Sequence, residues 1–259
     1  MEHRNTMILG LGLEIGFSIA RRFFDASHNV VVVDSSAPRV EKARTELPDA
    51  VHVLNIARSE LPHNAFAHME VEFGPADNLV LIPRIAPADT LMALDEADFA
   101  NRIAEIVSLQ AIAMRDFARR VTDLEDEVEA RAAQRRQRGS ITVVLSLAAH
   151  LSQPGQFTAT VLQSTAEALV KAAALEFAPN NIRVNAICAL RPRAEKREGS
   201  SLPNRTPLGR AASGDEIAEA TYFLANDAVA IITGETLVLD GGRSNLSGTL
   251  FNLGSSSGT

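Results

Sequence analysis

The sequence predicts an α/β protein, a doubly wound parallel sheet flanked by helices in three layers. Three observations carry that expectation. Residues 139–185 read as strand, helix, strand: a β-branched run over 141–145 ends at Ser146, and a turn holding Gln153, Pro154 and Gly155 follows. An alanine-loaded helical segment over 158–178 and a second β-rich run over 182–187 complete the unit. Near the N-terminus the order is again strand, glycine loop, helix, strand, this time ending on an acid. Finally, 259 residues with 46% hydrophobic content suit one large core rather than several small ones. A single domain is expected over residues 1–243, followed by a flexible Gly/Ser-rich tail over 244–259.

Taken in order, residues 6–9 form the first strand. A helix follows over 13–24, with Ile15, Ile19 and Phe23 on one face, and residues 30–33 make an apolar strand ending in Asp34. Gly10, Gly12 and Gly16 occupy the loop. Glycines there let backbone approach a pyrophosphate at a helix N-terminus, and an acid placed like Asp34 accepts from a ribose 2′-OH, which favours NAD over NADP. The plainer reading of Asp34 is a strand-end acid. Residues 51–54 form a third strand, followed by Asn55 and Ile56. The run DNLVLIPR over 77–84 is a fourth.

Residues 95–121 read as a helix with Phe99, Ile103, Ile106, Val107, Ile112, Met114, Phe117 and Val121 as apolar positions. The segment TDLEDEVEARAAQRRQR extends it as a charged helix over about 119–138. Its acids come first and its arginines last, the order the helix dipole favours. Residues 191–201 form a charged loop, a candidate lid. Ser213 and Glu216 make a capping box for a helix over 215–224, and 237–239 supply the last strand.

Net charge is −7 with a sequence pI near 5.4, and no basic block is long enough to track a phosphate backbone, so nucleic acid is not expected as a partner. A single cysteine, Cys188, excludes an internal disulfide and suits a reducing cytoplasm. No apolar run approaches the ~18 residues needed to span a bilayer, so no membrane partner is expected either. No metal-ligand cluster stands out.

Across residues 6–242 the chain resembles the short-chain dehydrogenase/reductase family, with its Rossmann-like fold. The phrase EFAPNNIRVNA over 176–186 and the block TPLGRAASGDEIAEATYFLANDAVAIITGETLVLDGG over 206–242 carry the likeness most closely. The family is NAD(P)-dependent, and its reaction uses a serine at a strand end, a tyrosine 13 residues later and a lysine four after that. Aligned on the scaffold, Ser146 keeps the serine, whereas Ala159 stands for the tyrosine and Gln163 for the lysine. Ser108 stands where a water-ordering asparagine belongs.

The cofactor motifs depart too. Glu14 replaces the middle glycine of the phosphate loop; turned inward, its charge repels a phosphate by about 1 kcal/mol in water and ~4 in a less polar site, whereas turned outward it is a helix-start acid, and a GxGxxxG phase is also open. Leu81, Ile82, Pro83 and Arg84 replace the NNAG that floors the nicotinamide site. Asn55 keeps a hydrogen-bonding group where an aspartate is usual.

The family's phenol acid/base needs a lysine one helical turn away. The single tyrosine, Tyr222, has Asn226 four residues on, and the three lysines are Lys42, Lys171 and Lys196, so no YxxxK can form. His150 is the nearest histidine to Ser146 but completes no triad. The resemblance therefore implies a non-catalytic subunit with no bound cofactor. It would scaffold a homologous active subunit in a hetero-oligomer, of tetramer type, as in alcohol or hydroxyacyl-CoA dehydrogenases of the 2-[hydroxy(phenyl)methyl]succinyl-CoA dehydrogenase type. A homo-oligomer is the simpler assembly. Two other classes fit the same residues: a cofactor-independent enzyme using Ser146, and a sensor that binds NAD without reacting.

Overall fold

The computed structural model describes residues 3–12, 15–123, 137–190 and 206–246. Seven strands lie in one sheet: β1 (Asn5–Leu9), β2 (Asn29–Asp34), β3 (His52–Asn55), β4 (Asn78–Leu81), β5 (Gly139–Ser146), β6 (Ile182–Ala189) and β7 (Thr236–Leu239). Their order is β3-β2-β1-β4-β5-β6-β7, and every pairing is parallel. The chain winds outward from β1 in one direction and from β4 in the other. The crevice at the β1/β4 switch point is where ligands bind in sheets of this kind.

The helices are α1 (Ile15–Asp25), α2 (Ala37–Glu46), α3 (His63–Glu72), α4 (Glu96–Ile103), α5 (Leu109–Thr122), α6 (Phe157–Phe177) and α7 (Gly214–Ala225). They cover both faces of the sheet. Ile15, Ile19 and Phe23 of α1 pack with Val40 of α2 and Ile217 of α7 on one side. Phe66 of α3, Phe117 of α5 and Val170 of α6 pack on the other. All eight residues of β6 are buried, and so are the first seven of β5. This two-sided burial explains their near-continuous apolar sequence. The three-layer α/β architecture is thus as expected.

The sequence reading differs from the structure in three places. The helix expected over 95–121 is interrupted by a π-helical turn, Ala104–Ser108, an insertion that leaves the apolar period almost unchanged. The fourth strand stops at Leu81, because Pro83 cannot donate to a ladder. Helices α2 and α3 give a faint sequence signal, since only Val40 and Ala43 of α2 and Ala65, Phe66 and Met69 of α3 are buried. The capping box is present as expected: Ser213 Oγ accepts from the Glu216 N–H and Glu216 Oε2 accepts from the Ser213 N–H. Arg210 grips the same carboxylate through two nitrogens and, with the Ser213 N–H, draws its pKa down to about 2. Glu14, residues 124–136 of the charged extension, the candidate lid and the tail from 247 onward lie outside the described residues.

Candidate active site

Strand β5 delivers Ser146 to the C-terminal edge of the sheet, and α6 runs back past it. This brings Ser146, Ala159 and Gln163 together as the spacing predicts. Gln163 is 1% exposed, and its Oε1 accepts from the Ser146 backbone N–H at 2.8 Å. The carboxamide therefore caps the end of β5. Among the described residues Ser146 Oγ is buried with no hydrogen-bond partner, the contact an activating base would have to make.

Ala159 is buried against Ala86, Ala148 and Leu162, with Ile106 and Val107 of the π-turn region packed around them. The segment before α4 is tied down over it. Asp89 Oδ1 accepts from the Thr158 N–H at 2.9 Å, Asp89 Oδ2 from the Thr158 hydroxyl, and Asp89 pairs with Gln156 in an isolated parallel bridge. Sequence reasoning missed Asp89, whose partners lie some 69 residues away.

The other reactive groups are elsewhere. Tyr222 lies at the opposite end of the sheet with Phe23 and His28, and the Arg22 guanidinium sits 3.7 Å above its ring. Lys171 is exposed beside Glu167 on α6, and Lys42 pairs with Glu46 on α2; Lys196 lies outside the described residues. Ser108 is exposed at the end of the π-turn, and His150 is exposed beyond β5. Among the described residues no cluster of histidine, cysteine and carboxylate could hold a metal.

The glycine loop keeps its shape for reasons internal to the chain. Gly10 has φ +96°, and a Cβ there would come within 2.5 Å of the Ile82 carbonyl. A Cβ on Gly16 would meet Leu11 backbone at 2.7 Å. Four amides around the loop bond within the chain: Gly10 N–H donates to the Val33 carbonyl, Leu11 N–H to Asp34, Ile15 N–H to the Gly12 carbonyl and Gly16 N–H to the Leu11 carbonyl. Gly12 also takes a positive φ.

Asp34 is similarly engaged. Its Oδ1 accepts from the Ser36 N–H and from Arg39, and its Oδ2 from the Leu11 N–H and again from Arg39. Four donors fill the lone-pair sites of a carboxylate. Burial alone would raise the Asp34 carboxyl, but the Arg39 guanidinium and the two amides outweigh it and hold it below its ordinary 3.8. The stability it adds is present above that value and lost as pH falls through the lowered one. Asp34→Asn, which must turn a donor toward Arg39, is expected to cost about 1.5–3 kcal/mol at neutral pH. In urea titrations that gap should narrow below about pH 4. Asn55 is exposed at the end of β3.

A cleft of about 460 Å³ opens at the β1/β4 switch point between Gly10, Asp34 and the segment 81–87. Leu81, Ile82 and Pro83 are buried in its floor, and Arg84 is exposed at its rim.

This fold and this cleft place the chain by descent. It belongs to the short-chain dehydrogenase/reductase family. A family model described as enoyl-(acyl carrier protein) reductase matches residues 12–244. Galactitol 2-dehydrogenase (L-tagatose-forming) of Cereibacter sphaeroides is 28% identical, covering 91% of this chain and 92% of that one. Cis-4-hydroxycyclohexanecarboxylate dehydrogenase of Sinomonas cyclohexanicum is 29% identical over 92% and 96%. The structure of 3-ketoacyl-(acyl-carrier-protein) reductase from Brucella melitensis, complexed with NADH, superposes with a TM-score of 0.81. It is 26% identical, covering 94% of this chain and 99% of that one. No helix among the described residues is long and apolar enough to cross a membrane.

Proposed function

We propose that this chain is a non-catalytic subunit that scaffolds or stabilises an intact, NAD-dependent member of its own family in a hetero-oligomer of tetramer type. The observation that carries the reading is the closed space at Ala159 with Gln163 fixed on the Ser146 amide. Loss of a general acid alone costs ~10²–10⁴ in rate. Here the position of that acid holds an alanine buried among Ala86, Ala148 and Leu162. With Asp34 already engaged by four donors, weak or no NAD binding belongs to the same reading.

Surfaces that would serve assembly are exposed and apolar. Phe223 of α7, Ile231, Leu237 of β7, Ile112 of α5 and Leu175 of α6 are all exposed. A subunit that keeps such faces while losing its chemistry has a use only beside a partner. By analogy with the named relatives, that partner acts on an alcohol or hydroxyacyl group. The purified chain is expected to reduce no NAD⁺ above background with galactitol or cis-4-hydroxycyclohexanecarboxylate. The measurement is nicotinamide absorbance, and a rate approaching an intact relative's overturns the proposal.

A further inference from the structure

A second cleft, of about 570 Å³, lies at the other end of the sheet from Ser146. Arg4 immediately precedes β1 and His28 immediately precedes β2, and both line it. Helix α1 runs from the glycine loop down to Asp25, so its C-terminal end arrives here, and Ala26 and Ser27 join the lining. The remaining wall comes from the last turn of α7, through Tyr222 and Ala225, and from Asp227 just beyond it. The volume lies within the ~300–1,000 Å³ usual for small-molecule sites.

Three features of this lining favour a positive charge. The first is the end of α1, since the C-terminus of a helix carries partial negative charge. The one basic side chain in its last turn, Arg22, is engaged by Glu219 and by the Tyr222 ring. The end of α7 is already answered, because Arg183 and Gln137 take the Leu224, Asn226 and Ala225 carbonyls. The second feature is Asp227. Its Oδ2 accepts from Arg4, while its Oδ1 has no hydrogen-bond partner among the described residues. The third is the Tyr222 ring, which already carries the Arg22 guanidinium 3.7 Å from its centre. Phe23 and His28 pack edge-on at 5.4 and 5.9 Å and fix that ring, and His28 is itself held by Thr6 Oγ1 at 2.8 Å. Arg4 and Asp227 nearly balance each other, so the helix end and the ring tip the cleft toward a cation.

We propose that this cleft binds a small aliphatic polyamine. One ammonium sits at Asp227, the apolar stem runs past Ala26 and Ala225, and a further ammonium meets the Tyr222 ring and the last carbonyls of α1. The site lies away from the Ser146 end of the sheet, so it stands or falls apart from the subunit reading.

Calorimetry on the full chain tests it with spermidine, butylamine and magnesium chloride. Spermidine is expected to bind at a single site, at least about tenfold more tightly than butylamine, since only the longer ligand makes both charged contacts. Asp227→Asn and Tyr222→Leu should each weaken it about tenfold. Ala26→Leu, which narrows the cleft with every charge kept, should weaken it by about as much. Circular dichroism checks that each variant folds, and Ala26→Leu carries the test where loss of the Arg4 pair unfolds Asp227→Asn. Failure of spermidine to bind, or binding that none of the three substitutions alters, overturns the proposal. So does displacement of spermidine by an equal concentration of magnesium, the mark of a diffuse response to the net charge of −7.

Discussion

Installing tyrosine at position 159 and lysine at 163 is expected to destabilise the chain by about 2–6 kcal/mol and to restore no activity. A phenol at 159 enters space already filled by Ala86, Ala148 and Leu162, and such overpacking costs about 1–3 kcal/mol. Replacing Gln163 removes the acceptor from the Ser146 amide and buries an ammonium in its place. The orphaned amide costs a further ~1–3 kcal/mol. The desolvated lysine would tend to lose its proton, and with it the charge that lowers a neighbouring phenol in the family's reaction. Urea denaturation and nicotinamide absorbance of the double variant measure both halves of the expectation. A variant as stable as the parent and active in hydride transfer would mean that the site is only substituted, not closed.

Arg183→Met should be among the most damaging single changes available, with an expected loss of about 3–5 kcal/mol. Arg183 is 3% exposed on β6, and its nitrogens donate to the Leu224 carbonyl at 2.6 Å, the Ile232 carbonyl at 2.9 Å and the Asn226 carbonyl at 3.3 Å, as well as to Gln137 Oε1. It therefore closes the C-terminal end of α7, where the helix dipole favours a cation. Burial pulls its pKa down to about 10, with Asp227 opposing and Arg4 adding to the shift, so the group stays charged at neutral pH. Methionine fills much of the volume but leaves those carbonyls dry and unpaired. Thermal melting should show a drop of roughly 6–20 °C. A change under 2 °C would show that water reaches these carbonyls and that Arg183 does not clamp α7 to the sheet.

The sheet was legible in the sequence because parallel strands buried on both faces are written as unbroken apolar runs. Val30 to Val33 and the stretch from Ile182 onward declare themselves in this way. So was the absence of a YxxxK motif, since Tyr222 has Asn226 four residues on. What could not be read is how the vacated positions are reused. That Gln163 would cap β5, that Asp89 would anchor the start of α6, and that Arg39 would engage Asp34 all depend on side chains meeting across long separations or local turns. The π-turn just before α5 was invisible because it shifts the helical phase by a single residue.

Native mass spectrometry of the chain co-expressed with an intact family member encoded beside it tests the central claim most directly. Mixed oligomers containing both chains are expected, with hydride transfer that depends on the partner's tyrosine and not on Ser146 of this chain. Oligomers that contain this chain alone, with the partner assembling and turning over equally well in its absence, would contradict it.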